Sequence, residues 1–232
     1  MNIIITGASK GIGKAIAEKF ASQNNQLLLC ARNEAILKET AAALKIKFPL
    51  ADIKYMSADL SEKKQVIAFA EWCLQHGMPD ILVNNAGQYI AGNVVDEPDG
   101  SLEKMMDTNL YSAYELTRKL VPVMIKKGSG HIFNICSVAS LHAYEGGGGY
   151  SISKFALNGF SQNLRSELKP HGIKVTAVFS GAVFTDSWGT YDNSSNRIME
   201  AEDIATMIMA ATKLSAQAVV EEIVLRPQLG DL

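Results

Sequence analysis

The sequence predicts one α/β domain, a doubly wound parallel sheet of about seven strands with helices on both faces. Three observations predict it. Short β-rich runs alternate with amphipathic helical stretches from one end to the other. A glycine-rich turn, Thr6-Gly7-Ala8-Ser9-Lys10-Gly11-Ile12-Gly13, joins the first apolar strand to the first helix. Neither a composition break nor an internal repeat divides the 232 residues, a size that one core can still support.

Strands are expected near Asn2–Thr6, Gln26–Ala31, Ile53–Ser57, Ile81–Val83, His131–Cys136, Lys174–Phe179 and Val219–Leu225. Helices fill the intervals, near Ile12–Gln23, Glu34–Phe48, Glu62–His76, Leu102–Lys127, Ser151–Lys169 and Ala201–Leu214. Two stretches stand apart. The run Gly146-Gly147-Gly148-Gly149 precedes Tyr150 and reads equally as a site of close approach to a ligand or as a flexible surface loop. Residues 185–200, rich in Ser, Asn and Asp after a strand end, read as a mobile lid.

Apolar residues make up 47% of the chain and charged residues 20%, as expected of a globular protein with a packed core. The formal charge of −2 provides no net positive field for nucleic acid or an anionic membrane, and Lys63-Lys64 and Lys126-Lys127 are ordinary solvated pairs. No apolar run approaches the length of a bilayer span, and Met1-Asn2 leads into a strand without a signal-peptide n-region, so a cytosolic protein is expected. Cys30, Cys73 and Cys136 lack the paired spacing of a zinc site or a disulfide framework. They read as buried thiols, and no metal is expected; Cys136 draws attention because it adjoins Ser137.

A glycine run that follows a strand and opens a helix lets the backbone turn sharply and approach a pyrophosphate at the helix N-terminus. Gly7, Ser9, Lys10, Gly11, Ile12 and Gly13 are therefore candidate ligands of a dinucleotide, and the sheet is of Rossmann type. After the second strand, where an NAD-binding chain carries an acid for the ribose hydroxyls, this one reads Cys30-Ala31-Arg32-Asn33. A carboxylate there would repel a 2′-phosphate, whereas Arg32 and Lys10 attract one, so NADPH/NADP is the expected cofactor. Asp59, with Leu60 beside it, is placed either to read the adenine amino group or to cap the next helix. Asn85-Ala86-Gly87 ends the fourth strand, beside the crevice where open α/β sheets bind ligands.

Tyr150 and Lys154 are one helical turn apart on one face, so phenol and ammonium can share a site. An ammonium favours the ionised form of a neighbouring phenol, which suits it to acid–base work. Ser137, at the end of the preceding strand, is brought by the topology against the same pocket. The glycine run, Asn84-Asn85-Ala86-Gly87, Ser137 and Tyr150-x-x-x-Lys154, in this order and spacing, resemble the short-chain dehydrogenase/reductase family over nearly the whole chain. The resemblance implies that Asn109 holds a water linking Lys154 to solvent, that Ser137 orients a substrate carbonyl, that Tyr150 protonates it and that Lys154 grips the nicotinamide ribose. It also implies that Val183 and Thr185 contact the nicotinamide carboxamide. One departure is Ser180-Gly181 where the family usually has Pro-Gly, which leaves the turn after the sixth strand freer.

The lid sequence Thr185-Asp186-Ser187-Trp188-Gly189 and the C-terminal Val219-to-Pro227 and Gly230-Asp231-Leu232 segments are similar to bacterial sepiapterin reductases within that family. The resemblance implies a pterin side-chain ketone as substrate, with Trp188 stacked on the ring; packing of the lid against the domain is the other reading of Trp188. Tyr89 is a second candidate aromatic wall, and His142, between Ser137 and Tyr150, reads either as lining the pocket or as a solvated loop histidine without a proton-transfer role. A 3-oxoacyl thioester reductase is the rival enzyme, although no basic run offers a carrier a docking surface. A non-catalytic NADPH sensor is the rival of another class; it would not need Asn109, Ser137, Tyr150 and Lys154 together. The family implies a homodimer or homotetramer, with the Leu102–Lys127 and Ser151–Lys169 helices as the interface.

Overall fold

The computed structural model describes residues 1–231; Leu232, the last residue of the C-terminal match, lies outside the described residues. The order runs β1 (Asn2–Thr6), α1 (Gly11–Ala21), β2 (Gln26–Ala31), α2 (Glu34–Lys47), β3 (Asp52–Ser57), α3 (Lys63–Gln75) and β4 (Ile81–Asn84). The second half continues with α4 (Ser101–Met106), α5 (Ser112–Lys127), β5 (Gly130–Ile135), α6 (Gly148–Leu168) and β6 (Ile173–Ser180). It ends with β7 (Val183–Phe184), β8 (Met199–Glu200), α7 (Ala201–Thr212) and β9 (Glu222–Leu225). Seven strands form one parallel sheet in the order β3-β2-β1-β4-β5-β6-β9, the expected Rossmann-type sheet.

Apolar runs make this sheet two-faced. Ile3 and Ile5 of β1 pack with Leu27 and Leu29 of β2 under α1, α2 and α7, while Ile4 and Leu28 face α3, α5 and α6 with Leu82, Ile132 and Val175. Three consecutive isoleucines are wholly buried, which only a strand covered on both sides allows. Each contributes about 1.5–3 kcal/mol of burial free energy. The direction in which successive strands are added reverses between the parallel neighbours β1 and β4, so the turns after these two strands lie side by side at the crevice on the sheet's carboxyl edge.

Three expected elements change their bounds, and the 185–200 segment is more ordered than its sequence suggests. The Leu102–Lys127 helix is broken: α4 and α5 are separated by a π turn over Asp107–Tyr111. There the Ser112 hydroxyl donates to the Thr108 carbonyl at 2.6 Å, and Asn109 is held sideways by Gln88 and Ser153, interactions an uninterrupted helix pattern does not announce. Helix α6 starts at Gly148, earlier than Ser151, which places Tyr150 in its first turn. The last strand begins at Glu222, because Val220 and Glu221 give β6 only their carbonyls, to Thr176 Oγ1 and Ala177 N. The 185–200 segment is partly tied down: it holds a 3₁₀ turn at Asp186–Trp188, ends in β8 paired with β7, and buries Ile198 and Met199.

Among the described residues no helix is long and apolar enough to cross a membrane.

Candidate active site

The glycine turn is built by its neighbours. Gly7 and Gly11 have φ of +64° and +54°, a region that L side chains avoid. Thr6 Oγ1 accepts from Asn85 N and Ala86 N, both at 2.9 Å, and Asn85 Nδ2 donates to the carbonyls of Thr6 and Gly7 at 2.9 and 3.1 Å. These bonds fasten the turn after β1 to the turn after β4. Gly13 does not line the groove; a Cβ there would collide with the Gly7 carbonyl and lie 2.5 Å from Asn85 Nδ2, so this glycine allows α1 to pack on the turn.

A cleft of about 570 Å³ runs from this turn along the sheet edge, lined by Gly7, Ser9, Lys10, Gly11, Ile12, Arg32, Asn33, Asp59, Leu60, Asn85, Ala86, Gly87, Tyr150, Lys154 and Thr185, among others. At its outer end Arg32 is exposed and has no carboxylate partner among the described residues. Lys10 instead faces Asp186 of the 185–200 segment, Nζ to Oδ2 at 3.3 Å, across the cleft mouth. Asn33 caps α2, its side chain accepting from Ile36 N at 3.0 Å. Asp59 does not cap α3, whose cap residue is Glu62; Asp59 Oδ1 accepts from Ser61 N and Oγ at the cleft wall.

At the inner end, Lys154 is buried and its Nζ donates to the Ile135 carbonyl at 2.7 Å, 5.8 Å from the centre of the Tyr150 ring. Two of its three ammonium protons remain for other acceptors. Asn109 is buried and its amide is fully engaged: Oδ1 accepts from Gln88 N at 2.8 Å, and Nδ2 donates to Gln88 O at 3.0 Å and Ser153 Oγ at 2.9 Å. Ser153 in turn donates to the Tyr150 carbonyl at 2.7 Å. The side chain of Asn109 thus clamps the turn that carries Tyr150. Cys136 lines this cleft, and burial pushes its thiol up to about 11, which leaves little thiolate near neutral pH.

Two observations test whether a dinucleotide fits. The positive-φ glycines bring bare backbone to the cleft wall where a pyrophosphate needs it. Thr108 lines the same cleft, and its buried Oγ1 is without a protein partner. The residues fit the group.

A second cleft, of about 580 Å³, meets the first at Ile12, Tyr89, Tyr150, Ser180 and Thr185. Ser137, His142, Tyr144, Val183, Trp188, Arg226 and Asp231 also line it. Val183 lines this second cleft and not the first, with its side chain buried in β7. Ser137 Oγ caps a 3₁₀ turn, accepting from Ala139 N at 3.2 Å, and points its own proton at the Ser180 carbonyl at 3.4 Å. Tyr89 stands edge-on to Tyr150 with ring centres 5.0 Å apart. Trp188 packs the segment against the domain, its Nε1 donating to Val183 O at 2.8 Å, and it lines the cleft beside Tyr191. His142 lies at the cleft wall.

The Ser180 departure is compensated locally. Gly181 N donates to Leu225 O at 2.8 Å, and the missing Cβ of Gly181 leaves room for Pro227 and for Asp231, which Arg226 holds through Nε at 2.7 Å. Tyr144, Gln88, Thr108, Ser153, Arg226 and Asp231 were not singled out from sequence. Tyr144 shares the Ser137-to-Tyr150 loop with His142, which is the signal that points to it; the others depend on contacts between distant segments.

Fold and paired clefts define a dinucleotide-binding oxidoreductase, with Tyr150 at the junction of the clefts and Lys154 beside it. The family model of the short chain dehydrogenases matches residues 1–196, and the chain belongs to that family. It is 35% identical to a sepiapterin reductase of Chlorobaculum tepidum, in an alignment covering 99% of this chain and 97% of that protein. The structure superposes on a metagenomic short-chain oxidoreductase in complex with NADP at a TM-score of 0.86, with 30% identity over 98% of this chain and 97% of that one. An L-sorbose reductase from Gluconobacter frateurii, complexed with NADPH and L-sorbose, gives a TM-score of 0.86 at 26% identity, covering 97% and 94%.

Proposed function

We propose that this chain is an NADPH-dependent carbonyl reductase in which Tyr150 is the general acid. The observation that carries the reading is the position of Tyr150 and Lys154: Tyr150 stands where the two clefts meet, and Lys154 is buried beside it on the side of the first cleft. A ligand in each cleft would meet at the phenol. Arg32 would take the 2′-phosphate, the Gly7-to-Ile12 turn the pyrophosphate, and Lys154 the nicotinamide ribose, with Thr185 close to the carboxamide. Once bound, the nicotinamide supplies the hydride.

The chain's own residues handle the rest. Ser137 turns its hydroxyl from the Ser180 carbonyl to the substrate oxygen and orients it. Tyr150 gives that oxygen a proton, so that no isolated alkoxide accumulates. Lys154, anchored on Ile135 O, holds positive charge beside the phenol as it loses its proton. Asn109 supports resupply from solvent through a water on its backbone carbonyl, its side chain being engaged.

Within this class the reading is a pterin side-chain ketone such as sepiapterin. The 35% identity to a sepiapterin reductase and a cleft walled by Tyr89, Tyr144 and Trp188 support it, since flat heteroaromatic rings suit such walls. Residues 185–200 act as the lid. Exposed Tyr111, Tyr114, Ile152 and Phe155 on the π turn, α5 and α6 support a homodimer or homotetramer, and a cytoplasmic location follows from the reading as a metabolic reductase.

The test is NADPH oxidation against sepiapterin, simple ketones, ketoses and 3-oxoacyl thioesters, with the Tyr150→Phe variant in parallel. Turnover by the Phe variant should fall by about 10²- to 10⁴-fold while NADPH still binds. Near-normal turnover would remove Tyr150 as the acid, and activity on other ketones without sepiapterin turnover would overturn the pterin assignment alone.

A further inference from the structure

The four-glycine run lines neither cleft; it packs against residues 92–97. Gly146 N donates to Asn93 Oδ1 at 2.9 Å, and the Gly146 carbonyl accepts from Gly92 N at 3.2 Å and from the Tyr89 hydroxyl at 3.4 Å. A Cβ on Gly148 would collide with the Gly92 carbonyl and lie 2.7 Å from Glu97 Oε2, and one on Gly149 would lie 3.0 Å from Glu97 Oε1. What the glycines admit is a carboxylate. Glu97 Oε2 accepts from Gly149 N at 2.9 Å, across 52 residues of sequence.

Helix α6 needs that acceptor. Its first N–H groups have no partner within the helix, and its N-cap, Gly147, has no side chain to supply one. A carboxylate from another segment replaces the missing cap and places negative charge at the positive end of the helix dipole. Tyr150 is the next residue after Gly149, in a first turn whose two preceding residues are glycines and therefore resist fraying least. The same 89–97 segment also sets Tyr89 edge-on to the Tyr150 ring, so one segment grips both the backbone and the side chain of the phenol.

We infer that Glu97 is a positioning residue for Tyr150: its carboxylate caps the catalytic helix from outside and fixes the phenol at the junction of the two clefts. The inference rests on the reading of Tyr150 as the acid. Glu97 touches no reacting atom and acts through the geometry of the first turn, where a displacement of about 1 Å is enough to cost on the order of 10²-fold in rate.

The experiment compares Glu97→Ala, Glu97→Gln and Gly148→Ala in steady-state reduction with NADPH, and repeats Glu97→Ala in the Tyr150→Phe background. Glu97→Ala should lower kcat by roughly 10- to 100-fold with NADPH Kd within about threefold of the parent. Gly148→Ala, which pushes the 92–97 segment away by its Cβ, should show the same split. Glu97→Gln keeps an acceptor oxygen and should restore kcat to within about threefold of the parent. In the Tyr150→Phe background Glu97→Ala should cost nothing further, because the two act as one unit. A kcat near that of the parent in both Glu97→Ala and Gly148→Ala, or an undiminished Glu97→Ala loss in the Tyr150→Phe background, would overturn the inference. Normal turnover by Tyr150→Phe alone would instead overturn the reading on which it rests.

Discussion

Removing Arg32 tests the cofactor assignment most directly. Its guanidinium is exposed at the outer end of the first cleft and pairs with no carboxylate among the described residues, so a 2′-phosphate need not displace a partner. A hydrogen bond to a charged group contributes about 1.5–3 kcal/mol, and screening at an exposed site favours the lower part of that range. Arg32→Ala should therefore lower kcat/KM for NADPH by roughly 10- to 30-fold and leave NADH almost untouched. Lys10→Ala should cost less, because Lys10 must first leave Asp186 at 3.3 Å. Arg32→Asp should reverse the preference. The assay is kcat/KM with both cofactors at two salt concentrations, since screening weakens the phosphate contact selectively. Equal losses for the two cofactors in Arg32→Ala, or a larger loss in Lys10→Ala than in Arg32→Ala, would refute the argument.

Lys154→Ala should impair both NADPH binding and turnover, unlike Tyr150→Phe, because it removes a buried ammonium and its bond to the Ile135 carbonyl; cofactor titration beside steady-state rates separates the two variants. Trp188→Ala should raise the KM for an aromatic ketone by about fivefold, equivalent to about 1 kcal/mol, with kcat changed less; an unchanged KM would show that the indole only packs the lid. Acid should destabilise the fold through His131. Burial first, and Lys174 second, push its imidazole down to about 3, and the unfolded chain takes up the proton near 6.5. This contribution is complete above pH about 6.5 and is lost at about 1.4 kcal/mol per pH unit as pH falls toward 3. Urea unfolding at a series of pH values should show a steeper decline for the parent than for His131→Gln, and parallel curves would refute it.

The sheet was legible because its signal is local: Ile3 to Ile5 and Leu27 to Leu29 are apolar runs that only a doubly covered strand satisfies. The Tyr150–Lys154 pair was legible because helical spacing fixes it. The π turn was not, since Asn109 is drawn aside by Gln88 and Ser153, neither near it in sequence. The role of Lys10 was half legible: its charge could be read, but its pairing with Asp186 depends on where the 185–200 segment lies. The glycine run was ambiguous for a similar reason, because the group that approaches it, Glu97, is identified only by the fold.

The three cysteines have a practical use. Cys30, Cys73 and Cys136 are all buried, and burial raises all three thiols, that of Cys30 to about 12. A thiol-reactive dye would thus find little to label in the folded protein. Ser195→Cys, on the exposed stretch of the 185–200 segment, would introduce an accessible thiol against a silent background. A fluorophore there would report segment motion as NADPH and ketone bind, without a cysteine-free parent having to be made first.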